Sequence, residues 1–250
     1  MIEVKNLIKS FDENEIVKNV STTFVKGKTN LIIGQSGSGK TVLLKCLLGL
    51  YAPDSGEIIY DGVSNKMMND SNKTLLRREM GMVFQGSALF DSMTVLENVQ
   101  FPLTMLTEKG DDEIRQRAEI AIHRVELEKD YNKLPSELSG GMQKRVAIAR
   151  AIVMNPKYLF CDEPNSGLDP KTAIIIDKLI QEITKEFNIT TIINSHDMNS
   201  VMEIGEKILF LVNGEKNWEG TNKEIFKTDN QSISDFVYSS ELLKKVKKYL

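Results

Sequence analysis

Gly34-Gln35-Ser36-Gly37-Ser38-Gly39-Lys40-Thr41 is the stretch of sequence that decides the fold. It follows an apolar run at 31–33 and precedes a helix-forming run at 42–48. In a strand–loop–helix of this kind, glycines let backbone N–H groups close around phosphate oxygens, and the helix N-terminus adds a partial positive charge. Lys40 adds a full positive charge, and the Thr41 hydroxyl can bind Mg²⁺. The stretch therefore predicts a phosphate-binding loop in preference to a plain glycine turn.

The composition is that of an ordinary globular protein. The chain has 250 residues, of which 41% are hydrophobic and 27% charged, and this balance argues against disorder and collagen-like repeats. The net charge of −3 gives no basic field, so nucleic acid is not an expected partner. No uncharged stretch is longer than the one at 29–39, which is too short to span a membrane. No secretory signal is expected at 1–9, and the two cysteines should stay reduced.

Short β-rich runs alternate with helical segments along most of the chain. These runs lie at 29–33, 80–84, 158–161, 190–195 and 207–212. The alternation predicts an α/β fold with a mainly parallel sheet. Further strands predicted at 2–7, 20–24 and 56–60 are joined by short turns, which indicates an antiparallel β subdomain.

An α-helical subdomain is predicted at about 93–138, inserted into a domain that spans 1–227. Within the insertion, apolar residues recur at helical spacing, namely Ile114, Ala118, Ala121, Ile122 and Val125. Residues 228–250 are predicted to form a C-terminal amphipathic tail. From Ser239 onward, one helical face carries Leu242, Leu243, Val246, Tyr249 and Leu250, and lysines surround it. Because the basic patch is short, docking on this protein or on a second copy is favoured over membrane contact.

Two adjacent carboxylates, Asp162 and Glu163, follow the apolar run at 158–161. In parallel sheets, ligands bind beyond the carboxyl ends of the strands. Asp162 can there hold Mg²⁺ through water, and Glu163 can orient or deprotonate an attacking water. Strands often end in acidic residues, so this pattern indicates a hydrolytic site only because a phosphate-binding loop accompanies it.

Ser139-Gly140-Gly141 precedes a helix-forming run at 144–154. Ser139 can cap that helix, and the two glycines expose N–H groups to an outside acceptor. The sequence thus predicts a second anion cradle, although a merely capped helix is the alternative. One chain cannot easily wrap both cradles around one terminal phosphate, whereas a two-fold dimer can offer each cradle to its partner's nucleotide.

With these motifs, residues 1 to about 227 resemble the nucleotide-binding subunit of an ABC transporter. The resemblance implies a P-loop ATPase fold, ATP and Mg²⁺ as ligands, and ATP hydrolysis by a homodimer. It further implies a separate integral-membrane permease as partner, with the ATPase held peripherally at the cytoplasmic face of a bacterial inner membrane.

The resemblance also implies roles for individual residues. Phe11 is expected to stack on adenine, Gln85 to contact Mg²⁺ and the permease side, and His196 to contact the terminal phosphate. The nucleotide-binding residues are expected to be Phe11, Gly34, Gln35, Ser36, Gly37, Ser38, Gly39, Lys40, Thr41, Ser139, Gly140, Gly141 and Asp169. The metal ligands are expected to be Thr41, Gln85 and Asp162, and the catalytic residues Glu163, His196 and Gln85. His123, on the polar side of the helical insertion, is interpreted as structural.

Side features suggest a branch of the family. The segments 42–50 and 84–95 resemble the ATPases of bacterial MCE-associated lipid-asymmetry transporters, with Val42 as the most informative position. This resemblance implies phospholipid as cargo and an MCE lipid-binding protein as partner. Asn165, where many relatives carry Thr or an aromatic residue, fits this branch less well. An importer of amino acids or other small solutes would share every catalytic residue. A soluble ABC ATPase without a transport role is disfavoured, because the chain has one phosphate-binding loop and no sustained heptads.

Overall fold

The structure is a computed structural model and describes residues 1–238. The strands of this part are β1 (Ile2–Phe11), β2 (Asn14–Phe24), β3 (Thr29–Ile33), β4 (Ser55–Tyr60), β5 (Val63–Ser64), β6 (Met80–Val83), β7 (Tyr158–Asp162), β8 (Thr190–Ser195), β9 (Lys207–Val212) and β10 (Glu215–Gly220). The α-helices are α1 (Lys40–Leu47), α2 (Asp70–Arg78), α3 (Val95–Leu106), α4 (Asp111–Arg124), α5 (Gly140–Ile152), α6 (Pro170–Glu186), α7 (Met198–Ile204) and α8 (Gln231–Val237). Short 3₁₀ helices lie at Asn65–Met67 and Pro135–Glu137.

The main sheet confirms the predicted α/β fold. Its strand order is β10-β9-β3-β8-β7-β6, and the strands from β9 to β6 run parallel while β10 pairs antiparallel with β9. β3 is central and wholly buried, as strands covered on both faces are. Leu31 and Ile33 pack on one face of the sheet, and Ile32 packs on the other. Successive side chains of β3 therefore contribute to two different cores, one on each face of the sheet.

The second sheet is antiparallel, with the strand order β2-β1-β4-β5, as the sequence predicts for a β subdomain. Its apolar residues share one core with α1 and with the Ile32 face of the main sheet. β1 and β2 are longer than the predicted 2–7 and 20–24, because they form a hairpin that turns at 12–13. Asn6 and Asn19 have left-handed backbone and lie at register shifts, which interrupt the alternation of apolar and polar residues. The full length of the two strands therefore could not be predicted from that alternation. The hairpin carries Phe11 toward the phosphate-binding loop.

Helices fill the predicted insertion. Thr94 begins α3 with a capping box, in which its hydroxyl accepts from Glu97 N and the Glu97 side chain accepts from Thr94 N. α4 buries Ile114, Ala118, Ala121 and Ile122, the stripe that the periodicity predicts. These helices pack on one another and on α5 in the core that covers one face of the main sheet.

The described chain ends in α8. Ile233 and Val237 of this helix are buried in the core of the main sheet. The division into 1–227 and 228–250 remains a prediction, and the predicted apolar face of the tail (Leu242, Leu243, Val246, Tyr249 and Leu250) lies outside the described residues. Within residues 1–238, no helix combines the length and apolar character needed to cross a bilayer.

Candidate active site

The loop at 34–39 has a backbone that side chains would obstruct. A Cβ on Gly34 would lie 2.4 Å from the carbonyl oxygen of Leu211, and one on Gly39 would lie 2.7 Å from that of Ile16. Gly39 also adopts a φ of 96° where it caps α1, a left-handed conformation that favours glycine. The loop therefore holds its conformation through glycine and leaves backbone amides near the helix N-terminus for an anion.

Lys40 is the cation of this loop. Its side chain is buried, and Nζ donates to the carbonyl oxygens of Gly34 at 2.8 Å and Gln35 at 3.0 Å. Burial lowers the pKa of Lys40, while the carboxylates of Glu163 and Asp162 oppose that shift. The ammonium group thus lies between the phosphate-binding loop and two acids, where the charge of a phosphate would complement it.

The side chains at the β7 end fit a magnesium nucleotide. Thr41 Oγ1 lies 3.5 Å from Asp162 Oδ1, so a hydroxyl and a carboxylate, both hard oxygen ligands, are adjacent. Asp162 Oδ1 also accepts from Asn194 Nδ2 at 2.9 Å, which fixes the carboxylate. Within the described chain, the buried hydroxyl of Ser38 has no hydrogen-bond partner, which leaves a polar atom of the loop free for a ligand.

Glu163 contacts two of the predicted catalytic residues. Its Oε1 lies 3.0 Å from His196 Nδ1, and its Oε2 accepts from Gln85 Nε2 at 3.1 Å. The three residues follow β7, β8 and β6, whose carboxyl ends meet at one edge of the sheet. Glu163 has a left-handed φ of 47°, and strained backbone of this kind is common at functional sites. The structure therefore brings together the carboxylate, imidazole and amide that the sequence and the resemblance assign to catalysis.

A cleft of about 740 Å³ lies over these groups. Its walls include Lys40, Thr41, Gln85, Glu163 and His196, and its volume suits a nucleotide-sized ligand. Phe11 also lines the cleft and is partly exposed, with its ring edge-on to Tyr51 at 5.1 Å between centroids. The position of Phe11 is compatible with stacking on a base, and that role remains a prediction.

Seven predicted nucleotide-binding residues do not line this cleft. Three of them, Gly34, Gln35 and Ser38, belong to the phosphate-binding loop itself, and the other four are Ser139, Gly140, Gly141 and Asp169. Ser139 caps α5 by accepting from Met142 N at 3.3 Å, as the sequence predicts, but the helix begins at Gly140 and not at 144. Asp169 caps α6 by accepting from Lys171 N and Thr172 N. A Cβ on Gly140 would lie 3.5 Å from Leu168, so the two caps are neighbours on one surface. Within one chain, neither of these two caps lines the cleft.

Several site residues were missed by the sequence interpretation. The side-chain amide of Asn194 donates to Asp162 and fixes its carboxylate, and the backbone carbonyl oxygen of Asn194 accepts from Glu163 N at 3.0 Å. Lys144 is buried on α5, and its Nζ donates to the carbonyl oxygen of Gln85. Arg150, two turns further along α5, donates to the carbonyl oxygens of Ser87 and Ala88 at 2.7 and 2.8 Å. The only signals for these three were polar residues inside an otherwise apolar strand or helix face.

The comparisons with known proteins identify the family to which the chain is similar. The model of the ABC transporter family matches residues 17–166, more than half of the chain. The methionine import ATP-binding protein MetN of Clostridium tetani is 37% identical over 97% of this chain and 76% of its own length. The L-cystine import ATP-binding protein TcyC of Bacillus subtilis is 37% identical over 90% of this chain and 92% of its own length.

Among solved structures, the dimeric bacterial ABC transporter cassette MJ0796 is similar to this chain. It is 36% identical, has a TM-score of 0.79, and the match covers 89% of this chain and 99% of the cassette. A dimeric post-hydrolysis state of MJ0796 bound to ADP and Pi matches with the same TM-score at 35% identity.

Proposed function

The chain belongs to the ABC transporter family of ATP-binding proteins, and on that premise we propose that it is the ATPase subunit of an importer for amino acids or other small solutes. Its reaction is ATP hydrolysis, with Mg²⁺ as the metal. The observation that supports a hydrolytic role for particular residues is the contact of Glu163 with both His196 and Gln85 above the Lys40 loop.

Glu163 is the proposed base. Phosphoryl transfer to water requires positioning and charge neutralisation more than covalent chemistry by the protein. Glu163 accepts the proton of the attacking water while the bond between the terminal phosphorus and the ADP oxygen breaks. His196 and Gln85 hold the two carboxylate oxygens and lie at the cleft themselves. Lys40 and the loop amides stabilise the negative charge on the phosphate oxygens.

Thr41, Asp162 and Gln85 are the proposed magnesium ligands. The first two lie in contact, and Gln85 lies in the same cleft. Bound there, Mg²⁺ supplies positive charge that neutralises the phosphate oxygens. Asn194 keeps the Asp162 carboxylate in position for that task.

A homodimer completes the site in this proposal. α5 begins with Gly140 and Gly141 and has no acidic residue in its first turn, so its N-terminus can attract an anion. Since this helix end lies outside the cleft of its own chain, the nucleotide it binds belongs to the partner. The dimeric form of the similar cassette MJ0796 supports this arrangement. Each ATP then joins the Lys40 loop of one protomer to the Ser139 cap of the other.

A permease is the proposed membrane partner, and it binds beside Gln85. A groove of about 270 Å³ there is lined by three arginines and by apolar side chains that include Phe84, Phe90, Phe101 and Met154. Phe84 and Phe90 are 44% and 40% exposed, so the groove presents apolar surface suited to an amphipathic helix. The proposed location is the cytoplasmic face of a bacterial inner membrane, held there by the permease.

The cargo is proposed from the relatives. MetN and TcyC are named for the import of methionine and L-cystine, and both match nearly all of this chain. Phospholipid transport with an MCE protein rests on Val42 and the segment 84–95. Val42 lines the nucleotide cleft, and Ala88 and Phe90 line the permease groove, so none of these three reports on the cargo directly. We therefore place small-solute import before phospholipid transport.

The test is purification of the native complex from detergent-solubilised membranes, followed by identification of its subunits and bound small molecules by mass spectrometry. A permease with a solute-binding protein and an amino acid supports the proposal. An MCE subunit with phospholipid supports the alternative.

Phe90→Asp should abolish recovery of the permease, while Ile120→Asp, at an exposed apolar residue on α4, should not. Recovery of ribosomes or DNA with no membrane protein would contradict both transport proposals.

A further inference from the structure

Three buried polar side chains lie behind the catalytic residues and have no part in the chemistry proposed above. They are Asn165, Asp177 and Ser200, which are 9%, 2% and 1% exposed. Asn165 Nδ2 donates to Ser200 Oγ at 2.7 Å and lies 3.3 Å from Asp177 Oδ2. We call these residues the buried polar cluster.

The buried polar cluster joins three elements of the site. Asn165 lies two residues after Glu163, in the loop between β7 and α6. Ser200 lies on α7, which begins two residues after His196, and Asp177 lies on α6. The cluster therefore connects the loop that carries Glu163 to the helix that follows His196.

Burying these polar groups costs free energy of desolvation that apolar side chains would not. Burial, together with the carboxylates of Asp197 and Glu203, raises the pKa of Asp177 to about 6, although hydrogen bonds from Ser200 and Asn165 oppose the shift. Apolar side chains of similar size often stabilise a core as well as buried charged groups do. Hydrogen bonds, unlike apolar contacts, depend on angle and distance, so they are satisfied in only one arrangement of the Glu163 loop and α7.

The same loop is held by backbone contacts on its other side. Glu163 N donates to Asn194 O on β8, and Ser166 N donates to Glu163 O at 3.1 Å. These bonds place the backbone of Glu163 but do not reach α7. The hydrogen bond from Asn165 to Ser200 joins the Glu163 loop to α7 through side chains in the core.

We propose that the buried polar cluster is a positioning element for ATP hydrolysis, which sets Glu163 and His196 relative to each other by tying the Glu163 loop to α7. Asn165, Asp177 and Ser200 are positioning residues, since none of them lines the described part of the nucleotide cleft. The inference rests on the proposed roles of Glu163 and His196. A shift of the loop against α7 lengthens the 3.0 Å contact between these residues without altering the Lys40 loop.

The test is steady-state ATP hydrolysis by the full-length dimer, together with ATP binding. Asn165→Ala should lower kcat by about 10-fold to 100-fold, as small misplacements of catalytic groups do, and should leave the Kd for ATP within about twofold. Ser200→Ala, which deletes one hydroxyl, should lower kcat in the same direction. Thr184→Val is the matched control and should leave kcat unchanged. Thr184 is buried on the same helix α6, and the substitution removes its 2.6 Å hydroxyl contact with Thr191.

A reciprocal exchange separates positioning from general loss of stability. Asn165→Asp alone buries a second carboxylate beside Asp177 and should lower kcat. Combined with Asp177→Asn, it restores one amide and one carboxylate, and kcat should recover to within about threefold of the wild type. Wild-type kcat in folded Asn165→Ala and Ser200→Ala dimers, or an exchange no better than Asn165→Asp alone, would overturn the inference.

Glu163→Gln in the same assay tells two failures apart. If Glu163→Gln hydrolyses ATP normally, the proposed role of Glu163 fails. If Glu163→Gln is inactive while the cluster variants are normal, the proposed function stands and the positioning inference alone is wrong.

Discussion

Nδ1 of His196 lies 3.0 Å from Oε1 of Glu163, although the two residues are 33 positions apart in the chain. The contact exists because β7 and β8 are parallel neighbours whose carboxyl ends meet at one edge of the sheet. Gln85 holds the other oxygen of the same carboxylate from the end of β6. A small movement of any of the three strand ends therefore changes the environment of the proposed base.

Glu163→Gln should abolish turnover and preserve nucleotide binding. The amide cannot take a proton from water, so kcat should fall by at least about 100-fold, while the Lys40 loop and the Ser139 cap remain intact. Size-exclusion chromatography with ATP and Mg²⁺ should show a long-lived dimer, and phosphate release should be close to zero. Glu128→Gln, on the exposed surface, is the control. Normal hydrolysis by Glu163→Gln would show that another group activates the water.

Lys40→Ala should weaken ATP binding itself. The lysine is a buried cation beside the glycine loop, and the loss of a hydrogen bond from a charged donor is worth about 1.5–3 kcal/mol, or roughly 10-fold to 100-fold in Kd. Titration with a fluorescent ATP analogue measures the change. Lys178→Ala, on the exposed face of α6, should bind as the wild type does. An unchanged Kd in Lys40→Ala would remove this lysine from the nucleotide site.

Mixing two variants, each with a different one of the two cradles impaired, should restore activity. A side chain at Gly140 would meet Leu168 only at van der Waals distance, so Gly140→Asp should fold and place a carboxylate at the tip of α5. In a mixed dimer of Lys40→Ala and Gly140→Asp chains, one composite site keeps both cradles intact. An equimolar mixture should therefore show about a quarter of wild-type activity. A mixture no more active than its components would indicate that each chain binds ATP without its partner.

Asp177 should make stability depend on pH between about 4 and 6. Its pKa is raised from 3.8 to about 6 in the fold, so the folded state binds the proton more tightly than the unfolded chain. The resulting stabilisation, at most about 3 kcal/mol, is present below pH 4 and is lost as the pH rises through 6. Asp177→Asn removes this pH dependence. In urea unfolding, the free energy of unfolding of the variant should therefore increase relative to that of the wild type between pH 4.5 and pH 7.

Thr184→Val serves as the control for that comparison, because it changes a buried group of α6 that does not titrate. Its difference from the wild type should be the same at both pH values. If Asp177→Asn behaved in the same way, the Asp177 carboxyl would have an ordinary pKa in the fold.

Much of the fold was predictable because its signals are local. The apolar runs and the glycine loop predict the parallel strands and α1, and Asp162 and Glu163 follow a strand directly in the sequence. β1 and β2 were predicted too short, since their extra residues pair across a hairpin with irregular register. The role of His196 came from the family resemblance, because its partner Glu163 is distant in the sequence.

Residues that act through distant partners could not be predicted. Asn194, Lys144 and Asn165 are polar residues in apolar surroundings, and their hydrogen bonds join elements that only the folded chain brings together. The start of α5 at Gly140 was also missed, because glycines are poor helix formers and the Ser139 cap compensates for them. Ser139–Gly141 do not line the cleft of their own chain, so the sequence-based proposal that a dimer joins them stays a prediction.

The most direct test of the account is a structure of the Glu163→Gln protein with ATP and Mg²⁺. It should show a two-fold dimer in which the Ser139 hydroxyl and the Gly140 amide of one protomer bind the terminal phosphate held by Lys40 of the other. A structure in which ATP occupies the Lys40 cleft while the Ser139–Gly140 end of every α5 faces solvent would contradict it.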